Sequence, residues 1–330
     1  KGSIPIFEPG LEEMVNKNYK AGRLNFTTDL IYSIKKSNVI FICVGTPAKK
    51  KSNSADLTQI YEVVNVIRKH INKFKIIVTK STVPVTTGDK IEKLISHKKP
   101  KKLFSIVSNP EFLREGEAIR DFMYPDRIIV GTNNIKVNNI LKTLYDPLIK
   151  KGTKYLNTSR RAAELIKYSS NSFLATKISF INEISNLCEK VNVNIQDVSV
   201  GMGLDSRIGS RFLRAGPGYG GSCFPKDTKA ILDTAKKFDT KLSIINSTVK
   251  SNAKRHNILH DKIKKILKGK ISNKKITFLG VTFKPNTDDM RESSALKLIP
   301  KLHKQGAKIS YYDPSGLKVA FNIYKNVNFL

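Results

Sequence analysis

Hydrophobic residues recur along this chain in two different periods. Short unbroken apolar runs stand in Asn38-Val-Ile-Phe-Ile-Cys-Val-Gly-Thr-Pro47, Lys75-Ile-Ile-Val-Thr79, Phe104-Ser-Ile-Val-Ser108 and Arg127-Ile-Ile-Val-Gly131. Such runs predict strands buried on both faces, as in a parallel sheet covered on both sides. Between them residues 56–70 follow helical spacing, with Leu57, Ile60, Val63, Val64 and Ile67 on one stripe, and residues 87–95 predict a second helix. Pro47, Pro84 and Pro110 stand just past strand ends. Alternation of this kind predicts a doubly wound α/β domain, whose ligands gather at the carboxyl ends of the strands.

Residues 158–200 break the alternation. Ala162, Leu165, Ile166, Ser169, Phe173, Ile178, Ile181, Ile184, Leu187 and Val191 mark one long helical stretch, of the kind that joins domains or pairs subunits. The alternation returns with Ile276-Thr-Phe-Leu-Gly-Val281, a helix near residues 293–304 and a strand over Lys308-Ile-Ser-Tyr-Tyr-Asp313, the start of a second α/β unit.

Composition narrows the class. The chain has 330 residues, 40% of them hydrophobic and 26% charged, enough to bury a core in two or three domains. No run of 18 apolar residues marks a membrane span. Fifty-nine Lys and Arg against 27 Asp and Glu leave a net charge of +32, which raises nucleic-acid binding as a reading. The distribution argues against it: 47 of the 59 are Lys, scattered in pairs such as Lys35-Lys36 and Lys264-Lys265, and the denser runs at residues 49–51 and 98–102 lack interleaved aromatics. A solvated surface with some attraction for anionic small molecules is the expectation. Three cysteines with no metal spacing exclude a disulfide framework and point to a cytoplasmic protein. The first residues lack an initiator Met and the last lack a terminating motif, so a fragment is expected.

One stretch matches Gly-x-Gly-x-x-Gly, namely Gly216-Pro-Gly218-Tyr-Gly-Gly221, but it follows no strand. Its glycines are better suited to presenting Cys223 of Ser222-Cys-Phe-Pro-Lys-Asp227 on a tight turn. A Cys between glycines and Lys226 is placed for a nucleophile, and a helix beginning at residue 223 would put Asp227 one turn along the same face. Cys43 and Cys188 fall in apolar runs and read as small core residues. Lys167 and Asn171 share one helical face among apolar neighbours, where a desolvated ammonium and an amide can stabilise an oxyanion or hold a water. His256 and His260 also stand one turn apart; with no third ligand in reach they read as a solvated face, and no metal is expected.

These segments resemble the nucleotide-sugar 6-dehydrogenases, the UDP-glucose/GDP-mannose dehydrogenase family. The likeness runs through residues 41–47, Ala55-Asp-Leu57, Lys80-Ser-Thr-Val-Pro-Val85, Ser108-Asn-Pro-Glu-Phe-Leu-Arg-Glu-Gly116, Pro125-Asp-Arg127, Ala163-Glu-Leu-Ile-Lys-Tyr168, residues 218–227 and Phe283-Lys-Pro-Asn-Thr-Asp-Asp-Met-Arg-Glu-Ser293, in the family's order. It implies two Rossmann-like doubly wound parallel-sheet domains joined by a long central helix, both incomplete in this chain. The divisions expected are an NAD-binding domain over residues 1–155, whose Gly-rich first strand would lie upstream, a helical dimerisation domain with the catalytic Cys loop over 156–255, and a truncated UDP-sugar-binding domain over 256–330.

The resemblance further implies oxidation of a C6 alcohol to a carboxylate with two NAD per turnover, and the motifs are nearest to the branch acting on UDP-glucose. In that scheme Cys223 captures the intermediate aldehyde as a thiohemiacetal and then holds a thioester. Lys167, Asn171 and Asp227 stabilise the oxyanion and arrange water, which Thr82 and Glu111 help to position. Substrate contacts carry over onto Glu111, Phe112, Leu113, Arg114, Lys167, Asn171, Ile178, Phe212, Arg214, Tyr219, Gly220, Phe283 and Lys284, with Arg207 donated by a neighbouring subunit of a homodimer or larger homo-oligomer. Cofactor contacts carry over onto Val44, Gly45, Thr46, Pro47, Ser81, Thr82, Glu115, Lys226 and Arg291. Neither nucleic acid nor membrane is an expected partner. The rival readings are a GDP-mannose or UDP-N-acetylmannosamine branch, a basic nucleic-acid-binding protein and an inactive relic.

Overall fold

The computed structural model describes residues 4, 8–49, 52–316 and 327–329. Two residues of the basic run at 49–51, and the chain ends named above, lie outside these. The chain divides into two compact units, residues 1–169 and 170–330.

The first unit opens with helices α1 (Leu11–Lys20) and α2 (Leu30–Lys36) and then alternates: β1 (Val39–Ile42), α3 (Thr58–His70), β2 (Lys75–Thr79), α4 (Thr87–Ser96), β3 (Phe104–Ser108), a short α5 (Ala118–Met123), β4 (Arg127–Gly131), α6 (Ile135–Ile149) and β5 (Lys154–Thr158). The five strands lie side by side in chain order. Alternate residues of each strand serve opposite faces. Ile42, Ile77 and Ile106 pack with Ile60, Val64 and Ile67 of α3 and Ile91 and Ile95 of α4. Ile76, Val78, Val107, Ile128 and Val130 pack with Val137, Leu141 and Leu148 of α6. Coverage on both faces explains why the strands read as continuous apolar runs.

One junction departs from the parallel pattern. β1, β2 and β3 are parallel, as are β4 and β5, but β4 runs antiparallel to β3, with Ser108 opposite Gly131. The connection from β3 to β4 carries the short α5 and brings β4 back antiparallel. The lysine surface also has an exception: Lys75, at the start of β2, is fully buried and donates to the carbonyls of Lys35 and Ser37 at the C-terminal end of α2.

A 32-residue helix, α7 (Arg160–Val191), carries the boundary between the units. Its first turns belong to the first unit, where Glu164 is buried and accepts from the amides of Thr86 and Gly88 and the hydroxyl of Ser108 at 2.8, 2.8 and 2.9 Å. Thr86 is the left-handed residue that opens α4. Glu164 therefore supplies from another helix the N-cap that α4 lacks locally; burial raises its carboxyl, and the three donors oppose that rise.

The second unit continues with α8 (Ile195–Gly203), α9 (Phe224–Lys237), α10 (Ser243–Ile266), β6 (Lys275–Leu279), α11 (Ala295–Lys304), β7 (Lys308–Tyr312) and β8 (Val327–Phe329). Strands β6, β7 and β8 are parallel in that order, and Ile309 and Tyr311 pack with Ile299 and Leu302 of α11. Among the described residues no helix is long and apolar enough to cross a membrane.

Asp313, just past β7, accepts from the amides of Val281, Thr282, Ser315 and Gly316 and the hydroxyl of Thr282. Although burial opposes ionisation, these donors pull its carboxyl down to about 2. A carboxyl depressed in the folded state stabilises above its unfolded value and loses that contribution as pH falls toward its folded one. Urea titrations followed by circular dichroism are therefore expected to show Asp313→Asn less stable than the parent by about 2 kcal/mol near neutrality. The gap is expected to close progressively between about pH 5 and pH 2.

Candidate active site

The carboxyl ends of β1 and β2 carry the first group of expected site residues. Thr46 Oγ1 donates to the carbonyl of Thr82 at 2.8 Å, and Ser81 Oγ donates to the carbonyl of Val44 at 2.6 Å, so the two strand-end loops are tied together. Gly45 and Pro47 are exposed, and a Cβ on Gly45 would meet only Gln59 Oε1 at 3.7 Å. The loops thus leave open backbone at the edge of a parallel sheet where dinucleotides bind, and Val44, Gly45, Thr46, Pro47, Ser81 and Thr82 fit an NAD contact surface. Cys43, at the head of the first loop, is exposed rather than core. β1 ends at Ile42, so its alternation no longer turns the next side chain inward.

The carboxyl end of β3 carries the second group. Glu111 accepts from its own loop at the amide of Leu113 (2.6 Å) and from Lys167 of α7 (3.1 Å). Lys167 is 3% exposed and its ammonium also lies 5.3 Å from the centre of the Phe112 ring. Arg127 stacks on Phe112 at 4.0 Å. Phe112 is therefore half-buried between two cations, neither core nor free surface. Arg114 is paired with Glu117 at the start of α5 and with Asp121 within it, which locks the turn around half-buried Glu115.

Sequence reasoning missed a polar cluster beneath this loop. Lys80 donates to Asn109 Oδ1 at 3.2 Å, Tyr145 donates to the same oxygen at 2.5 Å, and Asn109 Nδ2 donates to the carbonyl of Ile129. Burial pushes the Lys80 amine down to about 8, with Glu111 and Cys43 pulling it back up and Lys167 lowering it. Burial also pushes the Tyr145 phenol up to about 12, which keeps it a donor. Lys80 follows directly on the end of β2, but a single Lys in a basic chain gives no signal of burial.

In the second unit Cys223 is the residue before α9, and the amide of Asp227 donates to its carbonyl at 2.8 Å. The expected one-turn relation is therefore present. The Asp227 carboxylate is fully buried, accepts from Asn171 Nδ2 at 2.6 Å and pairs with Lys226. Asn171 is 6% exposed on α7, four residues after Lys167. The turn before Cys223 is not a dinucleotide loop: residues 216–221 hold no helix or strand, between α8 and α9. A Cβ on Gly221 would lie 2.7 Å from the Phe283 ring, and one on Gly220 would lie 2.5 Å from the carbonyl of Glu292. Only glycine lets this turn pass between them.

The remaining expected residues of this unit fall into two kinds. Tyr219, Phe212 and Phe224 form an aromatic group, with Phe224 6.1 Å from each of the other two rings. Ile178 is half-buried on α7, and Lys284 lies over Phe283. Arg207, Arg214 and Arg291 are exposed; Arg207 is held by Asp205 and Arg291 by Asp289. The histidine pair corrects an expectation: His260 is 4% exposed and bonds Gln305 at 2.8 Å, while His256 is half-buried. They face the packing of α10 rather than solvent. Cys188 is buried as expected.

Comparison with known proteins adds an independent line. Residues 1–149 match the NAD binding domain of the UDP-glucose/GDP-mannose dehydrogenase family, residues 161–254 its central domain and residues 277–330 its UDP binding domain. A UDP-glucose 6-dehydrogenase of Rhizobium meliloti is 48% identical over 330 residues, covering 99% of this chain and 76% of the relative. A UDP-glucose dehydrogenase structure from Pyrobaculum islandicum superposes with a TM-score of 0.94 at 34% identity, over all of this chain and 76% of that one. A UDP-D-ManNAc dehydrogenase structure from Pyrococcus horikoshii gives 0.86 at 25% identity, over 96% and 75%. With its three consecutive domains matched and a 48% identical relative covering nearly all of it, the chain belongs to the UDP-glucose/GDP-mannose dehydrogenase family and is an NAD-dependent oxidoreductase.

Proposed function

We propose that this enzyme oxidises the C6 alcohol of UDP-glucose to the carboxylate of UDP-glucuronate, with Cys223 as its covalent nucleophile. The observation that carries the reading is the start of α9, where Cys223 precedes the first turn and a buried Asp227 is fixed by Asn171 and Lys226. A helix N-terminus favours the thiolate. The 48% identity to a UDP-glucose enzyme, against 25% to a UDP-D-ManNAc enzyme, supports the UDP-glucose branch.

NAD, when bound by Val44, Gly45, Thr46, Pro47, Ser81, Thr82, Glu115, Lys226 and Arg291, accepts the two electrons of each oxidation. The first oxidation converts the alcohol to an aldehyde. The Cys223 sulfur adds to the aldehyde carbon, giving a thiohemiacetal whose oxygen takes up a proton. The second oxidation leaves a thioester, and water displaces the sulfur to release the acid and restore the thiol. Covalent capture keeps a reactive aldehyde from leaving between steps. Lys167, buried and paired with Glu111, offers positive charge to the developing oxyanion, and Asn171 adds an amide donor. Asp227, Thr82 and Glu111 arrange the attacking water. Phe112, Leu113, Arg114, Ile178, Phe212, Arg214, Tyr219, Gly220, Phe283 and Lys284 hold the substrate. The work divides as NAD binding by residues 1–155, catalytic turn and dimerisation by 156–255, and UDP-sugar binding by 256–330.

The active form in this reading is at least a homodimer that works in the cytoplasm, where a catalytic thiol stays reduced. Phe173, Phe180 and Leu187 form an exposed stripe at seven-residue spacing on α7, and Leu204 just past α8 is 82% exposed. An apolar patch of this kind marks a subunit contact. Arg207, exposed on the adjoining loop, is held by Asp205 and would exchange that partner for a neighbour's substrate on assembly.

Two NADH are expected per UDP-glucose, read at 340 nm, and none from Cys223→Ala; turnover only with GDP-mannose or UDP-N-acetylmannosamine would keep the chemistry and move the substrate. Lys167→Ala is expected to lower kcat by about 10² to 10³ through loss of oxyanion stabilisation. Phe180→Glu is expected to shift the sedimenting species toward monomer, and an unchanged species would remove α7 from the subunit contact.

A further inference from the structure

The turn that ends in Cys223 holds neither helix nor strand, so its backbone polar groups need other partners. Side chains of α7 and α10 provide them. Asn252 Oδ1 accepts from the amide of Tyr219 at 2.9 Å while Asn252 Nδ2 donates to the carbonyl of the same residue at 3.0 Å. Asn182 Oδ1 accepts from the amide of Gly216 at 2.8 Å, and Arg255 Nε donates to the carbonyl of Gly216 at 2.9 Å. Arg255, itself 6% exposed, is anchored by Asn186 Oδ1 at 2.7 Å. Gly218, between the two pinned residues, has φ +104° and would bring a Cβ within 2.6 Å of Asn252 Oδ1. On the far side the amide of Gly221 donates to the carbonyl of Arg291.

We infer that Asn252, supported by Arg255, is a positioning residue for the nucleophile: its amide clamps both backbone groups of Tyr219 and so sets where the following turn presents Cys223. This rests on the reading of Cys223 as the nucleophile. The side chain must carry a donor and an acceptor at one short reach, which restricts the position to an amide. A carboxylate keeps the bond from the Tyr219 amide and repels its carbonyl. The other side of the clamp opens onto a groove of about 430 Å³ lined by Asn182, Asn186, Ser251, Asn252, Lys254 and Arg255 among others. Water can enter there when the amide is removed, so Asn252→Ala loses the positional restraint without leaving dry, unpaired groups. Stability and positioning are thereby separable.

The experiment compares the parent enzyme with Asn252→Ala and Asn252→Asp. Each preparation is read by thermal melt, by kcat and KM with UDP-glucose and NAD, and by the pH dependence of Cys223 alkylation with iodoacetamide, located by peptide mass mapping. Both variants are expected to melt cooperatively and to lose about 10- to 100-fold in kcat, as a small misplacement of a reacting group does, with the KM for NAD unchanged. The alkylation midpoint is expected to move to higher pH as the sulfur leaves the helix N-terminus. Parental kcat and alkylation in folded Asn252→Ala would overturn the inference. If Asn252→Ala fails to fold, Asn252→Asp, of the same volume, decides by the same two readouts. Failure of the functional reading shows differently: the parent would then turn over no nucleotide sugar, while the alkylation profiles still report on the clamp.

Discussion

A single buried carboxylate organises the first unit. Glu164 cannot be withdrawn from water cheaply, and it is tolerated because three donors converge on it, two of them the orphan amides that open α4. The same bonds fix the start of α7 against the start of α4 and the end of β3. Lys167, three residues on, is then delivered to Glu111 at the end of β3. Arg160 and Arg161, paired with Asp89 and Glu92 of α4, hold the same turn of the helix from its other side.

The second unit solves a related problem by different means. Its cysteine turn has no ladder to join, so asparagine and arginine side chains stand in for a neighbouring strand and glycines remove whatever would keep them apart. In both units a local feature, a buried lysine or a cysteine turn, depends on polar groups supplied by other elements. Packing alone would leave these segments free to shift by the ångström or so that separates a productive geometry from an idle one.

Most of the architecture was legible in the residues because periodicity is a local property. The runs at β2, β3 and β4 coincide with their strands, and the spacing after residue 158 marks α7. The antiparallel junction between β3 and β4 was not legible, since it depends on how the intervening segment folds rather than on the strands. The cysteine turn stood out through its glycines and through family likeness. Lys80, Asn109 and Tyr145 did not, because each is an ordinary residue until a third element buries it. Cys43 misled for the opposite reason: an apolar run says where a strand passes but not at which residue its alternation ends. His260 was taken for surface because helical spacing alone cannot say which stripe of α10 meets α11.

Asp313 has a consequence for behaviour in salt. A surface with net charge +32 repels itself, and added electrolyte relieves that repulsion within a Debye length of roughly 10 Å at 0.1 M. Asp313 takes its stabilisation from backbone amides rather than from a lysine, and hydrogen bonds at contact distance inside the fold are screened far less. The loop that bears Phe283 and Lys284 therefore keeps its order in dilute buffer and in brine alike, in a protein whose outer surface responds strongly to the difference.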